Sequence, residues 1–230
     1  MAGDNRVLLI TGASSGIGAA TARMAGESGF RLVLAARRRD KLDALVSDIG
    51  PERALAVACD VADWAAQQRM AEAAIERFGA LDAVFANAGR GGGPGGFSAG
   101  DPKAWREMIL TNVYGLALTL RATLAHLKAS KGHLVITSSN AGRRALAGSV
   151  YGATKWAATG IGQNVRGELD GSGVRVTLIE PGLVDTPFFD EPKPDALKSD
   201  DIARTVLFAL TSPVTVNHHQ IVMTPTSQKW

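Results

Sequence analysis

Apolar and polar positions alternate along this chain in blocks rather than residue by residue. Short runs that are apolar at nearly every position, such as Arg6–Thr11 (RVLLIT) and Arg31–Ala36 (RLVLAA), are followed by longer segments with helically spaced apolar residues. A strand that is apolar throughout is buried on both faces, which indicates a parallel sheet covered by helices on each side. The pattern therefore predicts an α/β fold, a doubly wound parallel sheet of about seven strands in a single domain spanning residues 1–230.

Glycine and proline mark the ends of the predicted helices, as at Gly29, Gly50-Pro51 and Gly79. The predicted strands are Arg6–Thr11, Arg31–Ala36, Ala54–Val61, Leu81–Gly89, Gly132–Ser139, Gly173–Gly182 and Gln220–Met223. The predicted helices are Ser15–Ser28, Asp40–Ile49, Trp64–Phe78, Pro102–Ser130 (one helix or two), Tyr151–Leu169 and Asp200–Leu210.

Two long segments interrupt the alternation. Arg90–Pro102 is too rich in glycine to hold one shape, and residues 185–198 contain three prolines beside Phe188 and Phe189. Loops of this length in a compact domain are usually functional or mobile, although plain surface excursions are the alternative for both. We expect the second segment to form a lid over a substrate pocket, with the two phenylalanines facing partly apolar substrates.

Composition narrows the class of protein. The chain has 230 residues, 26 glycines that form no repeat, and Cys59 as its one cysteine, which excludes an intrachain disulfide. No uninterrupted apolar run approaches the roughly 18 residues that cross a bilayer, and the first residues lack the apolar core of a signal peptide. These features favour a cytoplasmic protein without membrane association.

The net charge is +3, and the one dense basic cluster is Arg37-Arg38-Arg39 with Lys41. Nucleic-acid binding would require a broader basic stripe or a recognition motif, and the sequence contains neither. The cluster is therefore either a solvated loop or a local anion site, and its position in the fold decides between them.

A glycine-rich stretch separates the first strand from the first helix. Its pattern G-x-x-x-G-x-G places Gly12 at the turn, Gly16 where a ligand approaches the backbone, and Gly18 where helix and sheet pack closely. The start of a helix offers free N–H groups and a partial positive charge, which suit a pyrophosphate. The stretch predicts a Rossmann-like dinucleotide site, the alternative being small residues in a crowded turn.

The end of the second strand indicates which dinucleotide binds. An acidic residue there normally holds the ribose 2′-hydroxyl of NAD, whereas arginine accommodates the 2′-phosphate of NADP. Ala36 occupies the acidic position, and Arg37 and Arg38 follow it. Because arginine is suited to forked phosphate contacts, NADP(H) is predicted over NAD(H), with water-facing arginines as the alternative.

Tyr151 and Lys155 are four residues apart and share one face of a predicted helix. A free tyrosine has a pKa near 10, and a nearby ammonium group favours the phenolate and lowers that pKa. The pair is therefore suited to general acid–base chemistry on an alcohol or ketone. Such a pair alone is common on helices without any function, so its interpretation depends on the surrounding motifs.

Those motifs resemble the short-chain dehydrogenase/reductase family across essentially the whole chain. They occur in the family's order and at its spacing, with Ala86 as a mild departure from N-N-A-G. The matching stretches are TGASSGIG (11–18), CDV (59–61), ANAG (86–89), TNVYG (111–115), ITSSNAG (136–142), YGATK (151–155) and EPGLVDTPF (180–188).

The resemblance implies a hydride transfer coupled to proton exchange through Tyr151. It implies that Lys155 lowers the tyrosine pKa and holds the nicotinamide ribose, that Asn112 holds a water, and that Thr186 holds the carboxamide. The family's catalytic serine lies 13 residues before the tyrosine, which selects Ser138 over Ser139. The implied cofactor-binding residues are Gly12, Ser14, Ser15, Gly16, Ile17, Gly18, Arg37, Arg38, Asp60, Val61, Asn87, Ala88, Gly89, Tyr151, Lys155, Pro181, Gly182, Val184 and Thr186.

The substrate is less well defined than the reaction. The tail, with SDDIARTVLFALTSP (199–213) and NHHQIVMTPTSQ (217–228), resembles NADP-dependent dehydrogenases of small 3-hydroxy acids, such as serine dehydrogenases. Arg143 or Arg144 would then bind a substrate carboxylate, the alternative being arginines that face solvent or an interface. A non-catalytic NADP(H) sensor on the same fold is the competing function. The family resemblance also implies a homodimer or homotetramer, and we expect no metal site because adjacent His218 and His219 would point to opposite faces.

Overall fold

The computed structural model describes residues 5–91, 93–189 and 191–228. Its strands are β1 (Val7–Thr11), β2 (Arg31–Ala36), β3 (Ala54–Ala58), β4 (Ala83–Ala86), β5 (His133–Thr137), β6 (Arg175–Pro181), β7 (Val184–Asp185), β8 (Leu197–Lys198) and β9 (Gln220–Met223). Seven of them form one parallel sheet in the order β3-β2-β1-β4-β5-β6-β9, and β7 pairs with β8 in a small second sheet. The predicted parallel, Rossmann-like architecture is therefore confirmed.

Helices cover both faces of this sheet. They are α1 (Gly16–Glu27), α2 (Arg39–Ile49), α3 (Trp64–Phe78), α4 (Gly96–Ala99), α5 (Pro102–Ile109), α6 (Gly115–Ser130), α7 (Val150–Glu168) and α8 (Ser199–Thr211). One buried cluster joins the sheet to α3, α6 and α7, and a second joins its other face to α1, α2 and α8. The central strands contribute to both clusters in alternation, which explains why their sequences are apolar at every position.

The predicted helix over Pro102–Ser130 is continuous but changes its winding. A π-helical turn at Leu110–Tyr114 joins α5 to α6. By length and composition alone this segment would also pass as a membrane span, as core helices of soluble proteins do. Leu116, Leu120 and Leu127 are buried in the cluster that includes β4 and β5, so the segment forms a layer of the fold.

The structure adds order to both segments that interrupt the sequence pattern. The glycine-rich segment contains the short helix α4, although it was predicted to be too rich in glycine to hold one shape. The segment 185–198 is closed at its base by the pairing of Val184 with Leu197 and of Asp185 with Lys198. Asp190, at the middle of the predicted lid, lies outside the described residues.

His133 at the start of β5 should make the stability of the fold dependent on pH. Its ring is buried beside Thr177, and burial together with Arg175 lowers its pKa to about 3. Between that value and the ordinary value of about 6.5, the unfolded chain binds a proton that the folded chain does not, so stability falls as the pH falls. We expect a loss of about 1.4 kcal/mol per pH unit below about 6.5.

Urea unfolding at pH 7 and pH 5 measures this dependence. His133→Gln should flatten it, although the variant will be less stable at both values. His219→Gln, at an exposed position, should keep the slope of the parent. A parent protein that is equally stable at both pH values would contradict the assignment.

Candidate active site

The topology opens a crevice beside the central strand. From β1 the chain moves outward through β2 and β3, then returns to the other side of β1 as β4. In open parallel sheets, ligands bind where the strand order reverses, at the carboxyl ends of the strands. A cavity of about 550 Å³ occupies this place. The predicted residues that line it are Gly12, Ser14, Ser15, Gly16, Ile17, Arg37, Arg38, Asp60, Val61, Asn87, Ala88, Gly89, Ser138, Tyr151, Lys155, Pro181, Gly182, Val184, Thr186, Phe188 and Phe189.

The glycine loop is built by two close approaches. Gly12 has a φ of +68°, and a Cβ there would lie 2.9 Å from the Ala88 Cα atom. A Cβ on Gly18 would lie 2.4 Å from the Gly12 carbonyl oxygen. Gly18 is therefore a packing residue that allows α1 to lie close to the turn at Gly12. It does not line the cavity. The prediction that Gly18 contacts the cofactor is not supported by this placement.

Asn87 ties together the ends of three strands at the cavity floor. Its backbone N–H donates to Thr11 Oγ1 at 3.0 Å, and its side-chain amide donates to the Thr11 carbonyl at 3.2 Å. Its side-chain oxygen accepts a bond from Thr137 Oγ1 at 3.1 Å. Asn87, which was predicted to contact the cofactor, thus holds the ends of β1, β4 and β5 together below the cavity.

Two arginines stand at the cavity end next to β2. Arg38 donates to Ser14 Oγ at 3.1 Å and to Ser15 Oγ at 2.8 Å, and Arg37 lines the cavity as an exposed side chain. Arg38 therefore lies against the glycine loop rather than in open solvent. Two guanidinium groups with two serine hydroxyls form a donor-rich corner that suits a phosphate group.

Cys59 and Asp60 follow β3 at the same end of the cavity. The Asp60 carboxylate accepts a bond from the Ala62 N–H at 3.0 Å. Burial, reinforced by Asp60 and Asp63, raises the pKa of the Cys59 thiol to about 12. The thiol is thus protonated at neutral pH and is a packing group rather than a nucleophile.

Tyr151 and Lys155 meet as predicted in the first turns of α7. The helix begins at Val150, and the Ser149 hydroxyl caps it by accepting from the Gly152 N–H at 2.9 Å. Lys155 Nζ donates to the Thr137 carbonyl at 3.0 Å and lies 5.7 Å from the centre of the Tyr151 ring. Tyr151 and Lys155 are therefore held in place by the helix α7, and Lys155 is also held by the end of β5.

Burial dominates the acidity of this pair in the structure. It raises the pKa of Tyr151 to about 12, which a hydrogen bond with Ser139 offsets only in part. It lowers the pKa of Lys155 to about 8. The tyrosine pKa is therefore not lowered as expected, because the loss of solvent around the phenol dominates it.

The two adjacent serines both line the cavity but have different partners, and these contacts favour Ser139 over the predicted Ser138. Ser138 Oγ donates to the Lys155 carbonyl at 3.1 Å and bonds Thr159 Oγ1 at 2.7 Å, inside the core. Ser139 is the serine whose side chain acts on the pKa of Tyr151, and in the structure its hydroxyl donates to the Pro181 carbonyl at 3.2 Å. Consecutive side chains at a strand end point to opposite sides. Ser138, selected by counting 13 residues back from Tyr151, lines the cavity but uses its hydroxyl for bonds to Lys155 and Thr159.

Asn112 lies in the π-helical turn behind the cavity. Its side chain accepts from the Arg90 N–H and donates to the Arg90 carbonyl, both at 2.9 Å, and it also donates to Thr154 Oγ1 at 3.1 Å. A separate cavity of about 10 Å³ is lined by Asn112, Thr11 and Lys155. This volume is about that of one water in a polar site, so the predicted water position is sterically possible.

The predicted carboxylate-binding arginines do not line the cavity. Arg143 forms an ion pair with Glu180 at 3.2 Å and donates to Gln220 Oε1 at 3.3 Å, while Arg144 contributes a backbone carbonyl to Trp156. Glu180 is fully buried at the end of β6, and pairing it with a cation compensates for its loss of water. The structure therefore contradicts the placement of Arg143 and Arg144 in the substrate site.

Several cavity residues were not named among the predicted site residues, although most lie within the matching motifs. They are Cys59, Arg90, Thr111, Thr137, Ser139, Asn140, Ala141, Leu146, Leu183, Pro187 and Gln228. Gln228 comes from the C-terminal segment, where its side chain accepts the Leu183 N–H at 2.9 Å. A residue so far along the chain from every motif can be placed at the cavity only by the three-dimensional fold.

The structure gives the two adjacent histidines separate surroundings. His218 Nε2 bonds Ser212 Oγ at 2.9 Å, and His219 is exposed. Among the described residues, no group of three or more potential metal-binding side chains is found.

The sheet topology and the residues of the crevice together define a Rossmann-like oxidoreductase. The family model for short chain dehydrogenases matches residues 6–196, and the chain belongs to this family. An uncharacterised oxidoreductase of Listeria monocytogenes is 37% identical, with 98% of each chain covered. An alcohol dehydrogenase of Thermococcus sibiricus, complexed with 5-hydroxy-NADP, has a TM-score of 0.91 and 32% identity, covering 97% of this chain and 98% of that one. Serine dehydrogenase of Escherichia coli has a TM-score of 0.89 and 31% identity, covering 97% of this chain and 100% of that one.

Proposed function

We propose that the protein interconverts a secondary alcohol and a ketone with NADP(H) as its cofactor. The observation that carries this proposal is the meeting of Tyr151, Lys155 and Ser139 at one part of a cavity whose other end holds Arg37 and Arg38. A proton-exchanging phenol and a phosphate-binding corner in one crevice are the two requirements of such a reaction.

The residues of the crevice fit a nicotinamide dinucleotide. Gly12 and Gly16 keep Cβ atoms away from the turn before α1, where backbone N–H groups suit a pyrophosphate. Arg37, Arg38 and the serine hydroxyls beside them would hold a 2′-phosphate. Asp60 and Val61 would border the adenine, and Val184 and Thr186 the carboxamide. When bound, the dinucleotide supplies or accepts the hydride that balances the proton exchanged by the protein.

The chain's own residues then have separate tasks. Tyr151 exchanges a proton with the substrate oxygen, and Ser139 donates a hydrogen bond where charge develops on that oxygen. Lys155 holds the cofactor ribose and adds positive charge beside the phenol. Asn112 is fixed by its bonds to Arg90 and Thr154, and together with Lys155 it lines the small cavity that would hold one water.

Consumption of NADPH with a panel of ketones and keto acids tests the proposal. Turnover that requires Tyr151 is the expected result. Tight NADPH binding without turnover of any compound would instead favour the non-catalytic sensor.

Arg38→Ala tests the preference for NADP(H). Because hydrogen bonds to a charged group contribute about 1.5–3 kcal/mol each, we expect the dissociation constant of NADPH to rise by about 10–100-fold while that of NADH stays nearly unchanged. Fluorescence titration with both nucleotides measures the ratio.

Arg39→Ala is the matched control, because its guanidinium pairs with Asp43 at 2.7 Å on the surface of α2. Equal affinities of the parent protein for NADPH and NADH would contradict the NADP(H) assignment.

A further inference from the structure

The part of the cavity around Tyr151 is walled by apolar side chains. The ring centre of Phe188 lies 5.4 Å from that of Tyr151, and Phe189 packs against Phe188 at 5.1 Å. Leu146 precedes α7 and packs beside its first turn. Its Cβ atom is 3.6 Å from the position that a Cβ on Gly152 would take. These groups form a continuous apolar surface beside the phenol that exchanges the proton.

Much of this surface is open to solvent. Phe188 is 42% exposed, Leu146 is 46% exposed and Leu183 is 38% exposed, and all three line the same cavity. Apolar side chains that cluster around a concave site usually become covered by the ligand that binds there. Bringing an apolar group against them therefore adds binding energy.

Among the described residues that line the cavity, the positively charged side chains either already have a polar partner or lie far from Tyr151. Arg90 forms an ion pair with Glu107, and Lys155 donates to the Thr137 carbonyl. Arg37 and Arg38 follow β2, three strands from the β5 end that carries Ser139, or about 14 Å at the usual strand spacing. Arg143, the predicted anchor for a carboxylate, is turned toward Glu180.

We infer that the substrate is an uncharged ketone, or the matching secondary alcohol, with an apolar substituent that packs against Phe188, rather than a small keto acid. This inference rests on the proposed function and adds the substrate class. A carboxylate in the same place would lose water against phenyl rings without gaining a free cation, which is costly. An ester or alkyl group in that position loses little hydration.

Four related compounds test the inference: ethyl acetoacetate, ethyl benzoylacetate and the two corresponding free acids, freshly prepared. Initial rates of NADPH oxidation at pH 7 give kcat/KM for each. We expect each ester to exceed its acid by at least about tenfold. We also expect ethyl benzoylacetate, a phenyl ketone, to exceed ethyl acetoacetate, a methyl ketone, by about tenfold, because the phenyl group buries more apolar surface.

Phe188→Ala should reduce the phenyl-to-methyl ratio by about 3–10-fold, since it removes the ring that would contact the substituent. Phe208→Ala is the matched control, because this ring is 58% exposed on α8 and lies against His218 instead. It should leave the ratio unchanged.

The remaining outcomes distinguish a failure of this inference from a failure of the proposed function. Preference for the acids, lost in Arg90→Leu, would overturn the inference and assign an anion site to Arg90, with the proposed function intact. Turnover of other ketones but of none of these four would also refute the inference alone. Failure to reduce any carbonyl compound despite NADPH binding would refute the proposed function and the inference together.

Discussion

Replacing Tyr151 by phenylalanine is expected to lower kcat for ketone reduction by about 10²–10⁴-fold, the usual contribution of a positioned proton donor. The phenol is protonated at neutral pH, because burial raises its pKa to about 12, so it is suited to donate to a carbonyl oxygen. The variant removes the hydroxyl and keeps the ring that packs on Phe188. Steady-state kinetics with NADPH and a reducible ketone give the loss directly.

Tyr114→Phe is the matched control, since Tyr114 is the other tyrosine of the chain and is 47% exposed. It should retain full turnover. The dissociation constant of NADPH should change less than about threefold in Tyr151→Phe, well below the change expected from a lost charged hydrogen bond. A Tyr151→Phe protein with parental kcat would refute the proposed chemistry.

Ser139→Ala should lower kcat by about 10²–10³-fold, the effect of losing one donor to a developing oxyanion. Its side chain lines the same cavity as Tyr151 and acts on the pKa of that phenol, so it lies beside the reacting oxygen. The same kinetic assay measures the loss.

Ser138→Ala should behave differently and therefore serves as the paired variant. Its hydroxyl bonds the Lys155 carbonyl and Thr159 inside the core, so its loss should reduce the free energy of unfolding by about 1–3 kcal/mol. We expect kcat to fall by less than tenfold, well short of the loss of one oxyanion donor. A larger loss of kcat in Ser138→Ala than in Ser139→Ala would restore the choice made by counting residues.

The fold was predictable because strands buried on both faces must be apolar at every position. The ends of the strands were less predictable. Ala54–Val61 was predicted as one strand, but the hydrogen-bonded pairing of β3 ends at Ala58. Cys59 and Val61 remain apolar because they pack at the cavity, not because they continue the sheet. An apolar residue indicates that a position is buried, but it does not indicate whether a sheet partner or another contact buries it.

The site was predictable where local geometry determines it, as for the turn at Gly12 and the helical spacing of Tyr151 and Lys155. It was not predictable where the answer depends on a distant partner. Arg143 had the right chemistry for a carboxylate, but Glu180, 37 positions further along the chain, is the carboxylate it binds. Ser138 and Ser139 have the same chemistry, and only the direction of each side chain at the end of β5 separates them.

The burial of Cys59 makes the chain convenient for covalent labelling. The one thiol of the protein is 3% exposed and has a pKa of about 12, so maleimide dyes will leave it unmodified at neutral pH. A cysteine introduced at Glu191, whose side chain is 85% exposed and which follows the cavity-lining Phe188 and Phe189 in the sequence, would then carry the dye alone. The natural sequence thus provides a background in which the movement of this segment can be followed by fluorescence, without first removing any native cysteine.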